Sequence, residues 1–191
     1  MRLFTFCLTS IVFFMLPFFT HGAVEIGPQS YVELGIGITQ HQAVDDSSTE
    51  TELPQSVTGK VLVGGKVISS SNVWFELMYS YDSKTKYSDT NFEYSSQTIA
   101  TGLKLTSNPY KELAGFTRFG IGQTRFDTRN NGVFSSASKN QAYAGAGMSY
   151  RLTKQQYFNV EYQLFHYFDL EKAAIDENNG SLFFSYQHYL N

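Results

Sequence analysis

Eight charged side chains recur at the polar positions of alternating segments: Glu33, Lys60, Lys66, Glu76, Lys104, Arg118, Arg151 and Glu161. Three are carboxylates and five are cations. The stretch "YVELGIGITQ" shows their setting. Val32, Leu34, Ile36 and Ile38 share one side; Glu33, Gly35, Gly37 and Thr39 share the other. Period two marks a strand with unlike faces. If the sheet closes with these charges inside, they must pair or be hydrated, because an isolated buried ion costs on the order of several kcal/mol. The chemistry they predict is ionic pairing across a narrow lumen, a plug rather than an ion pathway. Arg118, Glu76 and Glu161 fall near mid-strand, Glu33, Lys66, Lys104 and Arg151 nearer one end, and Lys60 higher.

Catalytic patterns are weaker. The histidines beyond the N-terminal segment are His41, His166 and His188. His166 precedes Tyr-Phe and His188 precedes Tyr-Leu, so neither forms the His-x-Ser pair of a barrel lipid deacylase. His41, Asp45, Asp46, Asp169 and Asp176 read as solvated residues of polar loops. Phosphate-loop, zinc-ligand and nucleophile-elbow spacings do not occur. The expectation is a non-enzymatic chain with no cofactor and no metal. Net charge is −3, which does not mark a nucleic-acid binder.

These charges need strands to hold them. Eight are expected, at about 30–40, 57–68, 73–82, 92–106, 113–126, 140–152, 157–168 and 180–190. Most are longer than the roughly five or six residues of ordinary strands. They match the about 9–11 residues that a tilted membrane strand needs. Short connections such as "SNPYKE" and "TKQQ" alternate with longer polar ones at 41–56, 83–91, 127–139 and 169–179. Four long loops on one rim and three short turns on the other describe an up-and-down meander.

Parity decides which side is wet. The positions Val61, Val63, Phe75, Leu77, Ile121, Tyr162 and their equivalents carry no Lys, Arg, Asp or Glu between the first and last apolar residues of each series, as from Ile99 to Leu105 and from Leu113 to Ile121. The opposite positions are thinly charged, dotted with glycine and mixed with Trp74, Phe116, Tyr143 and Phe165. That composition suits a crowded interior, where small residues make room for long ones. The apolar face therefore meets lipid, and closure satisfies every backbone group. Aromatics at strand ends, Tyr79, Tyr81, Phe158, Tyr162, Phe168, Tyr186 and Tyr189, suit the boundary with water. Residues 1–23 read as a signal peptide: Arg2, an apolar run, then Gly22 and Ala23. The lone cysteine, Cys7, lies there. Residues 24–191 then form one outer-membrane barrel domain. Without Arg2 its 13 basic residues face 17 acidic ones, a charge of −4.

Signal, alternating strands, tight turns, longer loops and inward charges together resemble the OmpA-type transmembrane barrel superfamily, near its small surface barrels of the OmpX, Ail and accessory colonisation factor A kind. The resemblance covers residues 24–191, although such chains usually end in an aromatic residue and this one ends in Tyr189-Leu190-Asn191. It implies an all-β, eight-stranded antiparallel up-and-down transmembrane β-barrel in the outer membrane, surrounded by outer-membrane lipid and lipopolysaccharide, and the barrel is expected to be a monomer. It also implies a surface or envelope-stabilising protein that meets a host or environmental ligand through external loops. The loop contacts expected are Asp45, Asp46, Lys84, Lys86, Arg129, Phe134 and Asp176. A narrow pore or transport accessory is the second reading, and a lipid-modifying enzyme the third.

Overall fold

The computed structural model describes residues 30–44, 50–52, 55–68, 71–86, 92–130, 132–168 and 177–190. The proposed signal segment lies outside them. The strands are β1 (Ser30–Val44), β2 (Glu50–Glu52), β3 (Ser56–Lys66), β4 (Val73–Lys86), β5 (Phe92–Thr106), β6 (Leu113–Asn130), β7 (Val133–Arg151), β8 (Gln156–Phe168) and β9 (Glu177–Leu190). Eight of them are staves. Each pairs antiparallel with the next, and β1 also pairs with β9, from Ser30↔Leu190 to Gln42↔Asn178. That last ladder closes the sheet and removes both edges. β2 is a three-residue ladder on the upper end of β1, from Gln42↔Glu52 to Val44↔Glu50.

The alternation in sequence becomes an alternation of faces. Along β3 burial runs buried, exposed, buried, exposed from Ser56 to Gly64. Glu33 is fully buried while Ile36 is 61% exposed; Arg118 is buried while Ile121 is 63% exposed. Leu34, Phe75, Leu77, Tyr162 and Phe184 also stand exposed on the outside. Such a continuous apolar surface is stable against hydrocarbon, not water.

Five strands run longer than the sequence predicts. β1 continues to Val44, β4 to Lys86 and β6 to Asn130, while β7 starts at Val133 and β9 at Glu177, so most of the expected loop 127–139 is strand. A register shift between Asp82 and Thr85 lets β4 keep pairing with β5 as far as Lys86↔Glu93. β6 and β7 stay paired up to Asn130↔Val133. Their connection contains the dipeptide Asn131-Gly132, which suits a two-residue hairpin turn, and Gly132 has a φ of +85°. The polar composition of 127–139 hides a strand because both of its faces meet water once it rises above the lipid. On β6 the outward apolar series ends at Ile121, and Gln123, Arg125, Asp127 and Arg129 follow it.

Candidate functional site

The lumen is built from the inward parity of all eight staves. At its centre six charges meet. Arg118 Nη2 lies 3.0 Å from Glu33 Oε2, and Arg118 Nε lies 3.1 Å from Glu161 Oε1 and 3.5 Å from Glu76 Oε2. Lys60 Nζ lies 2.6 Å from Glu161 Oε2 and 3.3 Å from Glu33 Oε1. Lys104 Nζ is 3.9 Å from Glu33 Oε2 and donates to Gln187 Oε1 at 2.8 Å. One guanidinium thus touches three carboxylates, each from a different strand. Three cations (Lys60, Lys104, Arg118) balance three anions (Glu33, Glu76, Glu161), so the cluster is neutral. Neutrality and mutual contact allow fully buried ions to persist in a space with little water.

Polar neighbours complete the shell. Tyr31 donates its hydroxyl to Glu76, and Ser185 donates to Glu33 Oε1 at 2.7 Å. Gln163 donates to Glu161 Oε1 at 2.9 Å. Ser149 donates to Asn159 at 2.6 Å, and Asn159 donates to Gln187 at 3.1 Å, which leads the chain back to Lys104. Aromatic rings take the cations' remaining faces: Lys60 stands 4.4 Å from the Phe183 centroid, and Lys104 stands 4.4 Å from that of Phe116. Glycines leave the space. Lys60 lies across Gly35, and the Tyr143 ring lies against Gly102 and Gly120, where a Cβ would collide.

Aromatic layers close both ends of the cluster. Below it, Tyr31, Trp74, Tyr157 and Tyr189 pack edge to face, with centroids 5.2 Å apart for Tyr31–Trp74 and for Tyr157–Tyr189. Above it, Phe126 packs on Tyr167 at 5.2 Å and on Tyr94 at 5.8 Å. Tyr189 is therefore an inward residue, not the lipid-boundary residue its place near the strand end suggests.

The eight expected network residues separate into two groups. Glu33, Lys60, Glu76, Lys104, Arg118 and Glu161 come together. Lys66 and Arg151 do not join them. Lys66 sits at the lower rim with its ammonium 5.3 Å from the Trp74 ring, and Arg151 is exposed at the end of β7. Lys66 and Arg151 stay near the strand end where their linear position puts them, whereas Glu33 and Lys104 reach the central layer because barrel strands tilt and stagger. Glu33 near the start of β1 thereby reaches the same layer as Lys60, although the two seem far apart along their strands.

Sequence reasoning missed Asp82. It is buried and accepts hydrogen bonds from Thr58, Ser96 and, at 3.4 Å, Thr39. Thr39 also contacts Ser181 at 2.7 Å. The signal was available: Trp74, Glu76, Met78, Ser80 and Asp82 continue one parity.

The expected loop contacts fare unequally. Lys84, Arg129 and Phe134 are exposed, with the Arg129 guanidinium 4.8 Å from the Phe134 ring. Lys86 ends β4, and its side chain is outside the described residues; Asp45, Asp46 and Asp176 lie wholly outside them. Among the described residues no group of three His, Cys, Asp or Glu side chains could hold a metal.

A closed antiparallel sheet, apolar outside and ionic within, defines a small outer-membrane barrel. The chain belongs to the outer membrane protein beta-barrel domain family, whose model matches residues 7–187. Its place is the outer membrane. Among solved structures it resembles Neisserial surface protein A, at 12% identity and a TM-score of 0.63 over 84% of this chain and 97% of that one. It resembles the N-terminal barrel of Pseudomonas aeruginosa OprF, at 14% identity and 0.55 over 84% and 98%. It also resembles Ail, the attachment invasion locus protein of Yersinia pestis, at 12% identity and 0.53 over 85% and 99%. These likenesses are of fold. No curated protein matches the sequence significantly.

Proposed function

We propose that this barrel is a non-enzymatic surface protein: its lumen is a structural plug, and its outer rim, above all the β6–β7 hairpin, makes contact with a partner outside the cell. The hairpin carries this reading. β7 residues 133–139 pair with β6 alone among the described strands, since the ladder with β8 begins at Asn140↔Phe168. Among the described residues the other side of this strand carries no ladder, a surface that another extended backbone complements. Val133 and Phe134 stand 70% and 74% exposed at its tip. Arg125 and Arg129 lie on the same outward parity of β6 as Asp127, and Ser136 accepts from Arg125 Nε at 3.0 Å. An apolar tip beside guanidinium groups offers two kinds of contact at once. Ail, a barrel of similar fold, has been solved in complex with the heparin analogue sucrose octasulfate, which suggests heparin as a first probe for this chain.

The test is a hairpin shortened by removing 127–136, joined through Asn-Gly, and displayed on cells that lack other adhesins. Attachment to cultured host cells or to immobilised heparin is expected to fall to background while heat-dependent gel mobility is unchanged. Undiminished attachment to both would reject the hairpin as the contact surface. In planar bilayers the intact protein is expected to show no large, stable open channel; one would reject the plug.

A further inference from the structure

The lower rim carries a charge that the outward-facing reading leaves unused. We infer that the sector of the periplasmic rim formed by the β5–β6 and β7–β8 turns binds anionic phospholipid headgroups of the inner leaflet. Lys111, Arg151 and Lys154 stand exposed there, Arg151 on the lumen-side parity with its guanidinium hydrogen-bonded to Tyr157, and Glu112 is the carboxylate among them. The two connections are joined: Arg151 N donates to Glu112 O at 2.8 Å. Three cations against one anion give this patch a net charge of +2, whereas the whole chain is −3.

Lys111 stands at the tip of a tight turn: Tyr110 and Leu113 exchange both backbone hydrogen bonds, at 2.8 and 3.1 Å. Its φ is 58°, the left-handed region that glycine occupies freely and that the first central residue of such a two-residue hairpin turn must enter. Tyr110 is 77% exposed, and the Lys111 ammonium stands 5.7 Å from its ring.

The occupant follows from what the patch adjoins. Leu113, Tyr150, Leu152 and Phe158 are exposed on the lipid-facing surface at the same rim. Cations therefore lie where the acyl region gives way to headgroups. A phosphodiester bearing a net negative charge, with its chains against Leu113 and Leu152, satisfies both surfaces together. A free phosphate satisfies only the first.

The experiment is native mass spectrometry of the full barrel extracted from vesicles of equal phosphatidylglycerol and phosphatidylethanolamine. The wild type is expected to retain phosphatidylglycerol preferentially. The triple variant Lys111→Gln, Arg151→Gln, Lys154→Gln is expected to lose at least about fivefold of that preference, the effect of a single cation near an anionic surface. Lys111→Gly, which relieves the turn, is expected to fold at least as well and still lower the preference. Lys84→Gln at the opposite rim is expected to leave it unchanged. Equal retention of the two lipids by the wild type, or an unaltered preference in the triple variant with its heat-dependent mobility intact, would overturn the inference. So would displacement of the lipid by millimolar inorganic phosphate.

Discussion

Two arginines of one strand meet carboxylates at nearly the same distance and in opposite surroundings. Arg118 lies 3.0 Å from Glu33, both side chains fully buried. Arg125 lies 3.1 Å from Asp127, with the two side chains 62% and 37% exposed. They are seven positions apart on β6, and on opposite sides of the boundary between lumen and water. In the lumen each ion has left its hydration behind, so losing a partner strands a charge. On the hairpin, water and salt replace a lost partner at little cost. Equal geometry therefore carries unequal consequence. What sets the value of a pair is the alternative open to each member once the pair is broken.

The comparison breaks most sharply at Arg118. Arg118→Ala leaves Glu33, Glu76 and Glu161 to share two lysines, and it is expected to cost about 3–5 kcal/mol of stability. The check is the urea midpoint of reversible unfolding in bilayers or micelles. A cost near that of an exposed pair would mean the lumen is well hydrated. Reversing a face comes next: Ile36→Arg puts a charge against hydrocarbon near the middle of β1, with an expected loss of about 2–4 kcal/mol. The same titration reads it, and a neutral result would place that face in water. Crowding the lumen is expected to matter less. Gly120→Ala sets a methyl against Thr101 O and the Tyr143 ring, for about 1–3 kcal/mol as those groups shift. At the hairpin, Arg125→Ala is expected to change stability by about 0.2–1 kcal/mol. That difference should vanish at high salt, whereas the Arg118→Ala deficit should persist.

The staves and their faces were legible in the sequence because a strand's period is an integer. Val61 and Leu77 could be placed outside, and Lys60 and Glu76 inside, without coordinates. The hairpin above Ile121 was illegible for the complementary reason. Where both faces meet water the alternation fades, and "DTRNNGVFSSASK" reads as a loop although Asn131-Gly132 marks its turn. Asp82 escaped because the strand containing it was ended at that residue. Its inward parity was readable from Trp74, Glu76, Met78 and Ser80, but its partners Thr58 and Ser96 were not.

The sequence by itself determined the number of staves, the lipid-facing side and the set of charges available to the lumen. Alternation and strand length report those directly. Only the tertiary structure decided which charges meet. Glu33 and Lys60 come from paired strands, Arg118 and Glu161 from strands distant in the chain, and the stagger that brings them level belongs to the closed barrel. The same closure left Lys66 and Arg151 at the rim. A one-dimensional pattern fixes the face on which a side chain lies; the tilt of the whole sheet fixes its height and therefore its partners.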